Sequence, residues 1–439
     1  MIFVLLRYEK LKYSYLHSTD MEIESILILL NDWWKSGQVS GDLAKKYRRK
    51  IITEFKRVFN KRHEILLLTG LRRVGKTTII YQQIEDLLKE VAPESILYFT
   101  FDYGQIDLFE LLDAYSKITG TDWKHRKIFV FLDEIQKLSG WSSKIKILFD
   151  AFPNVRITLS GSASLQLEKD AIDDLAGRYF TIDVKPLSLI EFYELKHSEQ
   201  ITNPVLYKSE LNAEEASYIE RPFPAIVDWK EYRDVSTYIR ENILSKIIRG
   251  DLQDTFKDIN IALLERMIDT FYANPGMIMN VDESVHNFGV SKTTFERHIF
   301  FLEFAKLIRI CANFRGSHMA MSRKNKKIYP YDISLALSFN PNIDIGKVLE
   351  TKTASVIDAK MYWRDGQNEV DFVTLNGRKL LGIEVKAAKD VDLRTLSSLD
   401  KFSRKFSAEK FIVYRGEDKK IKDTNCVSVT TLLIKDGLI

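Results

Sequence analysis

Cysteine is almost missing. Cys311 and Cys426 are the whole complement of a 439-residue chain and stand far apart. That excludes a disulfide framework and any zinc site built on closely spaced cysteines, and it agrees with a reducing, cytoplasmic setting. Charge of one sign is lacking too. The 65 Lys and Arg residues face 61 Asp and Glu, for a net charge of +4, so no global basic field marks a nucleic-acid binder and any such argument must be local. Long hydrophobic runs are absent: nothing approaches the ~18 apolar residues of a membrane helix. The apolar opening MIFVLL meets Arg7 without the basic-then-apolar order and cleavage site of a signal peptide. Glutamine is scarce, at nine residues, beside abundant Lys, Glu and Ile, a composition associated with heat-adapted proteins. There is no internal repeat and no low-complexity tract.

What remains is a globular composition, 45% hydrophobic and 29% charged, long enough for about three domains. An amphipathic helix starts at Met21, and one reading makes residues 1–20 an extension from an upstream start. Residues 21–62 are predicted helical, with Ile23, Ile26, Leu27 and Leu30 at helical spacing. A break at Gly37 to Gly41 precedes a basic run, Lys45 to Lys50, expected to be a solvated helix face. From Glu64 onward, short apolar runs alternate with amphipathic helices. Ile65–Thr69, Ile96–Phe101, Ile128–Leu132, Val155–Ser160 and Arg178–Val184 are predicted strands of an α/β, doubly wound parallel sheet.

The densest chemistry is Gly70-Leu71-Arg72-Arg73-Val74-Gly75-Lys76-Thr77, which fits G-x4-G-K-[ST] and lies between a strand and a helix beginning near Thr78. Glycines let backbone N–H groups curl round phosphate oxygens, and a helix N-terminus adds partial positive charge. Lys76 is expected on the β and γ phosphates of ATP and Thr77 on Mg2+. The apolar strand from Lys127 ends in Asp133-Glu134 at the sheet edge where ligands bind. Asp133 is expected to hold Mg2+ through water, and Glu134 to orient and deprotonate the attacking water. Ser160 or Ser162 is a candidate γ-phosphate sensor. Arg178 is a candidate phosphate contact, in the same or a neighbouring subunit, with a surface salt bridge as the other reading. Arg72 and Arg73 could touch nucleotide or partner.

GLRRVGKTT, FLDEIQ, LSGSAS and LAGRYFTIDVKPLSLIEF, in this order, resemble the prokaryotic AAA-type ATPases that carry a C-terminal domain of unknown function related to restriction nucleases. The resemblance covers about residues 45–425. It implies an additional-strand P-loop AAA+ core, ATP and Mg2+ as cofactors, and a winged helix before the C-terminal domain. Where this chain has Ser160-Gly-Ser162, family members often show Thr-Gly-Ser.

Two further segments carry local signals. Residues 260–313 hold three apolar helical patterns, with Gly289 before a third helix capped by Ser291, the layout of a helix-turn-helix. A following β-hairpin is expected to hold Arg315, Arg323, Lys324, Lys326 and Lys327 at its tip, as a basic wing for DNA phosphates or as part of a module packed within the protein. The tip also contains His318, which is given no metal role. In the C-terminal segment, Glu369-Val-Asp371 and Glu384-Val-Lys386 lie on strands joined by the turn Asn376-Gly377. Glu384 and Lys386 share a strand face. Asp371 and Glu384 could bring carboxylates to one Mg2+ or Mn2+, with Lys386 activating water and Glu350 completing the site. This resembles the restriction-endonuclease-like core, with Val370 in place of its usual proline.

The expected organisation is therefore an N-terminal extension and helix (1–44), the P-loop AAA+ core (45–190), a helical lid or connector (191–255), a winged helix (256–330) and a restriction-endonuclease-like domain (331–439). The expected activity is Mg2+-dependent ATP hydrolysis coupled to DNA binding or processing, with possible nuclease activity. The alternative is an ATP-dependent switch with a silent nuclease fold. The expected partners are ATP and DNA, with no membrane and a possible homo-oligomer.

Overall fold

The computed structural model describes all residues except 1–21, 62, 105, 162–174, 257, 317–324, 392–395 and 439. Ser162, His318, Arg323 and Lys324 lie outside the described residues. The chain gathers into two compact units. The first contains residues before Gly70, 76–161 and the strand Tyr179–Asp183; the second contains 70–75 and the chain from Val184 onward. Among the described residues no helix is long and apolar enough to cross a membrane.

The first unit is built on five parallel strands: β1 (Ile65–Thr69), β2 (Ile96–Thr100), β3 (Ile128–Asp133), β4 (Val155–Ser160) and β5 (Tyr179–Asp183). These are the five expected runs, in the order β2-β3-β4-β1-β5. Every residue of β1, β2 and β3 is buried, which is why they read as unbroken apolar runs: helices cover both faces of a parallel sheet. β4 separates β1 from β3. Its pairing sets Ser160 beside Leu68 and Leu159 beside Leu132, so Ser160 ends between the strand that leads into the glycine loop and the strand that ends in Asp133.

β2 is an edge strand, and side chains finish its edge. Asn31 follows the helix Ile23–Leu30. Its side-chain amide donates to the Tyr98 carbonyl at 2.9 Å and accepts from the Tyr98 N–H at 2.7 Å. The Trp34 indole donates to the Ile96 carbonyl at 2.8 Å. The basic run is not simply a solvated face: Arg48 bonds Glu85 and Asp86 on the helix Lys76–Leu87, and Arg49 is buried.

The second unit holds the helices Leu189–His197 and Lys208–Glu220, then Tyr232–Tyr238 followed by π-helical turns Ile239–Leu244 and Ile247–Leu252. Helices Ile261–Ala273, Val281–Phe288 and Lys292–Phe304 occupy the three expected helical patterns. Gly289, at φ +67°, ends the second of these, and the Ser291 hydroxyl accepts from the Thr294 N–H at 3.1 Å to cap the third.

Strands β6 (Met277–Met279), β7 (Ile308–Asn313) and β8 (Lys326–Pro330) belong to this helical segment. They continue into β9 (Met361–Asp365), β10 (Asn368–Asn376), β11 (Lys379–Lys386), β12 (Glu409–Tyr414), β13 (Lys419–Ile421) and β14 (Thr424–Ser428). All nine form one sheet, ordered β13-β14-β12-β11-β10-β9-β7-β8-β6. The junction is a short parallel pairing, Ala312 with Met361 and Asn313 with Tyr362. The sheet therefore runs across the division expected at residue 330.

Candidate functional site

β1 delivers the chain into Gly70–Gly75, and the next helix starts at Lys76. Positive φ recurs along the loop, at Gly70 (+144°), Arg73 (+67°) and Gly75 (+99°). Such alternation turns successive N–H groups inward and makes an anion-binding concavity. Gly70 is required sterically, because a Cβ there would lie 2.2 Å from the Val184 carbonyl oxygen. Leu71 and Val74 are buried and anchor the loop. Arg72 turns to Asp251 in the π-helical turn Ile247–Leu252, donating from Nε to both carboxylate oxygens at 3.2 and 3.1 Å. Its guanidinium is thus engaged by a buried acid, whereas Arg73 is exposed.

In the first unit, the Lys76 side chain is buried at the head of its helix, with Thr77 and Thr78 on the same first turn. The Thr77 hydroxyl donates to Asp133 Oδ2 at 2.6 Å. The Tyr98 hydroxyl donates to the same oxygen at 3.3 Å, a contact with no sequence motif to announce it. Burial, with Asp133 as the next cause, pushes the Tyr98 phenol well above its ordinary range, so it stays a donor. Glu134 adopts a left-handed conformation, φ +51°. Its carboxylate accepts from Gln136 Nε2 at 2.6 Å. A hydroxyl beside a carboxylate at the end of a buried strand is an oxygen donor set that suits Mg2+. Ser160 Oγ is buried with no hydrogen-bond partner among the described residues.

Arg178 lies elsewhere. It immediately precedes β5, and its carbonyl accepts from the N–H of Ile65, the first residue of β1. That is the sheet edge opposite the one from which the glycine loop leaves, about 17 Å away for a five-residue strand. Its guanidinium donates to Asp150 at 2.8 and 3.0 Å. Of the readings the sequence left open for Arg178, this position and the ion pair with Asp150 favour the surface salt bridge over a same-subunit phosphate contact.

The C-terminal candidates converge in the second unit. Asp371 on β10 accepts from the Val385 N–H at 2.9 Å, and Lys386 donates to Glu384 at 2.7 Å on β11. Glu350, on the helix Ile345–Val356, accepts from Tyr329 at 2.6 Å and from Lys347 at 3.3 Å. The residue that joins them was expected on an exposed wing. Lys327 is 3% exposed, and its ammonium reaches Glu350 at 3.1 Å, Glu369 at 2.7 Å and Asp371 at 3.6 Å. The wing assignment of Lys327 is therefore corrected: β8 is an internal strand, and alternation turns Lys327 and Tyr329 to the same side. Lys326 and Arg315 are more open.

Burial, with Asp371 as the second cause, raises Glu384 from 4.5 to about 8. Asp371 is also raised, by burial and then by Glu350. Glu350 is lowered: burial opposes this, but Lys327 and Lys347 outweigh it. Among the described residues no three carboxylate, histidine or cysteine side chains are grouped to hold a metal ion. With an ammonium already on Glu350 and Asp371, the expected divalent site of Glu350, Asp371 and Glu384 does not fit these residues as arranged.

Comparisons with known proteins divide the chain similarly. Residues 62–193 match the family described as "AAA domain". Residues 222–344 and 348–433 match two families described as domains of unknown function (DUF8612 and DUF4143). An uncharacterized protein of Methanocaldococcus jannaschii is 29% identical over 216 residues, 48% of this chain and 44% of that protein. A second uncharacterized protein of the same organism is 25% identical over 372 residues, 77% of this chain and 78% of that protein. The chain thus spans less than half of the first relative's length. The structure of C. elegans PCH-2 aligns at 14% identity and a TM-score of 0.25, covering 63% of this chain and 71% of that one. The family match over residues 62–193 takes in the five-stranded parallel sheet and the glycine loop that follows β1, so this segment of the chain is similar to AAA domains.

Proposed function

We propose that this protein binds and hydrolyses ATP with Mg2+ and couples that turnover to DNA. The observation that carries the reading is the Thr77–Asp133 hydrogen bond at 2.6 Å, at the head of the helix that follows a loop of repeated positive φ. Thr77 and Asp133 would hold Mg2+, which supplies charge neutralisation on the phosphates. The loop N–H groups and Lys76 bind and orient the phosphate chain. Glu134, held by Gln136, orients the attacking water and takes its proton. The Ser160 hydroxyl, without a partner among the described residues, is suited to a γ-phosphate oxygen or to that water. Arg178 would act on nucleotide only across a subunit boundary.

The test is steady-state ATP hydrolysis. Lys76→Ala and Glu134→Gln should each abolish it, the first with loss of ATP binding and the second with binding retained. Undiminished turnover in both variants would sink the assignment.

The proposed DNA-facing element is the segment from Ile261 to Pro330, read as a winged helix. Its helix–strand–helix–helix–strand–strand order and the exposed Lys292, Thr293 and Arg297 on the third helix favour that reading. Lys292 and Arg297 also pair with Asp282 and Asp258, so DNA must displace exposed ion pairs, which are weak. ATPase assays with single-stranded, duplex and branched DNA test it: stimulation by one form identifies the partner, and equal rates in all favour a nucleotide switch.

A further inference from the structure

The C-terminal cluster has the carboxylates of a metal site but an internal cation among them. Glu350, Glu369, Asp371 and Glu384 are accompanied by four basic side chains, Lys327, Lys347, Arg364 and Lys386. Three of these cations sit near the rim, while Lys327 is almost wholly buried. A buried ammonium is stable only when opposed by anions that also satisfy its hydrogens. Here Glu350 and Glu369 lie at bonding distance and Asp371 within ion-pair distance, supplied by one helix and one strand.

Lys327 cannot swing aside cheaply. β8 lies between β7 and β6 in the sheet, with Lys327 paired to Cys311 on one side and Ile278 on the other. Its ammonium also lies 5.5 Å from the Tyr362 ring centre. Gly276, just before β6, closes the same place: a Cβ there would meet Tyr329 at 2.9 Å and Glu350 at 3.2 Å. The Gly276 backbone thus lies against Tyr329 and the Glu350 carboxylate, with no space for a side chain between them.

We propose that the Lys327 ammonium is a resident cation that takes the place of a divalent metal in the C-terminal carboxylate cluster, so that this nuclease-like site is closed to Mg2+ and Mn2+. In this arrangement the carboxylates hold Lys327, and through it fix β8 against β10 and the helix Ile345–Val356. A divalent ion would need Lys327 removed, since two cations cannot share Glu350 and Asp371 without strong repulsion.

The test is Mn2+ binding to the full chain without nucleotide, followed by electron paramagnetic resonance and calorimetry. The wild type and Asp371→Asn should bind Mn2+ equally and weakly. Lys327→Met, similar in length and neutral, should gain one Mn2+ with affinity raised about tenfold or more, and Lys327→Met/Asp371→Asn should lose it. Tight Mn2+ binding by the wild type that Asp371→Asn removes would overturn the proposal. So would a folded Lys327→Met protein that gains nothing. If Lys327→Met fails to fold, the wild type against Asp371→Asn still decides. Mn2+-dependent DNA cleavage, compared in the same pair, adds a second readout: loss of cutting in Asp371→Asn also overturns it.

Discussion

Gly70 and Gly75 frame the same loop, yet the structure asks different things of them. An alanine at position 70 would put its Cβ 2.2 Å from the Val184 carbonyl oxygen and 3.1 Å from its carbon. The obstacle is backbone, and Val184 directly follows β5, whose register with β1 is set by five paired positions. Relief therefore means moving the loop by about 1 Å. Overpacking of this kind costs about 1–3 kcal/mol, and holding a non-glycine residue at φ +144° adds about 1–3 kcal/mol. At Gly75, φ is +99° and none of the described residues lies within 4 Å of the added Cβ, so the backbone cost of about 1–3 kcal/mol is the one that applies. Urea unfolding should show Gly70→Ala less stable than Gly75→Ala by about 1–3 kcal/mol. A fluorescent ATP analogue should bind Gly70→Ala at least tenfold more weakly than wild type, since about 1.4 kcal/mol suffices for that. Equal stability of the two variants, or wild-type affinity in Gly70→Ala, would refute the steric argument.

Other expectations follow from the same geometry. Asn31→Leu leaves the Tyr98 N–H and carbonyl without their side-chain partner, at about 1–3 kcal/mol for each unmet group, measurable as a lower urea midpoint. Arg72→Ala takes the guanidinium away from the buried carboxylate of Asp251, at up to about 3–5 kcal/mol; Arg72→Ala/Asp251→Ala should recover part of that loss, and a strictly additive double variant would contradict the pairing. Glu384 has a folded-state pKa raised from 4.5 to about 8 by burial and then by Asp371. The fold therefore holds this proton more tightly than the unfolded chain does. Its stabilisation is complete below about pH 4.5 and fades as pH rises through about 8. Glu384→Gln should flatten the fall in urea midpoint between about pH 6 and about pH 9, and an unchanged slope would count against the burial argument.

The parallel sheet was legible because β1, β2 and β3 are buried throughout and carry apolar residues up to their polar last positions. The Thr77–Asp133 bond was implied by two motifs that share a nucleotide chemistry. Arg178 kept three readings in the sequence, although a residue that opens a strand of a parallel sheet lies at the end away from a loop that follows another strand. Lys327 was misread because a Lys-rich stretch ordinarily marks solvent. The signal that would have placed it is the two-residue step from Lys327 to Tyr329, which puts both on one face of β8. Arg72 offered no such signal, since its partner Asp251 lies 179 residues away.

The finished edge of β2 redraws the smallest self-sufficient piece around the five-stranded sheet. A piece begun at residue 45, where the sequence placed the start of the core, would lose Asn31 and Trp34 and present unpaired strand groups to solvent. Such an edge invites another chain to add its own strand. Insolubility of that shorter piece would therefore reflect an open sheet margin and not a failure of the core to pack. Starting the piece before Ile23 should restore solubility.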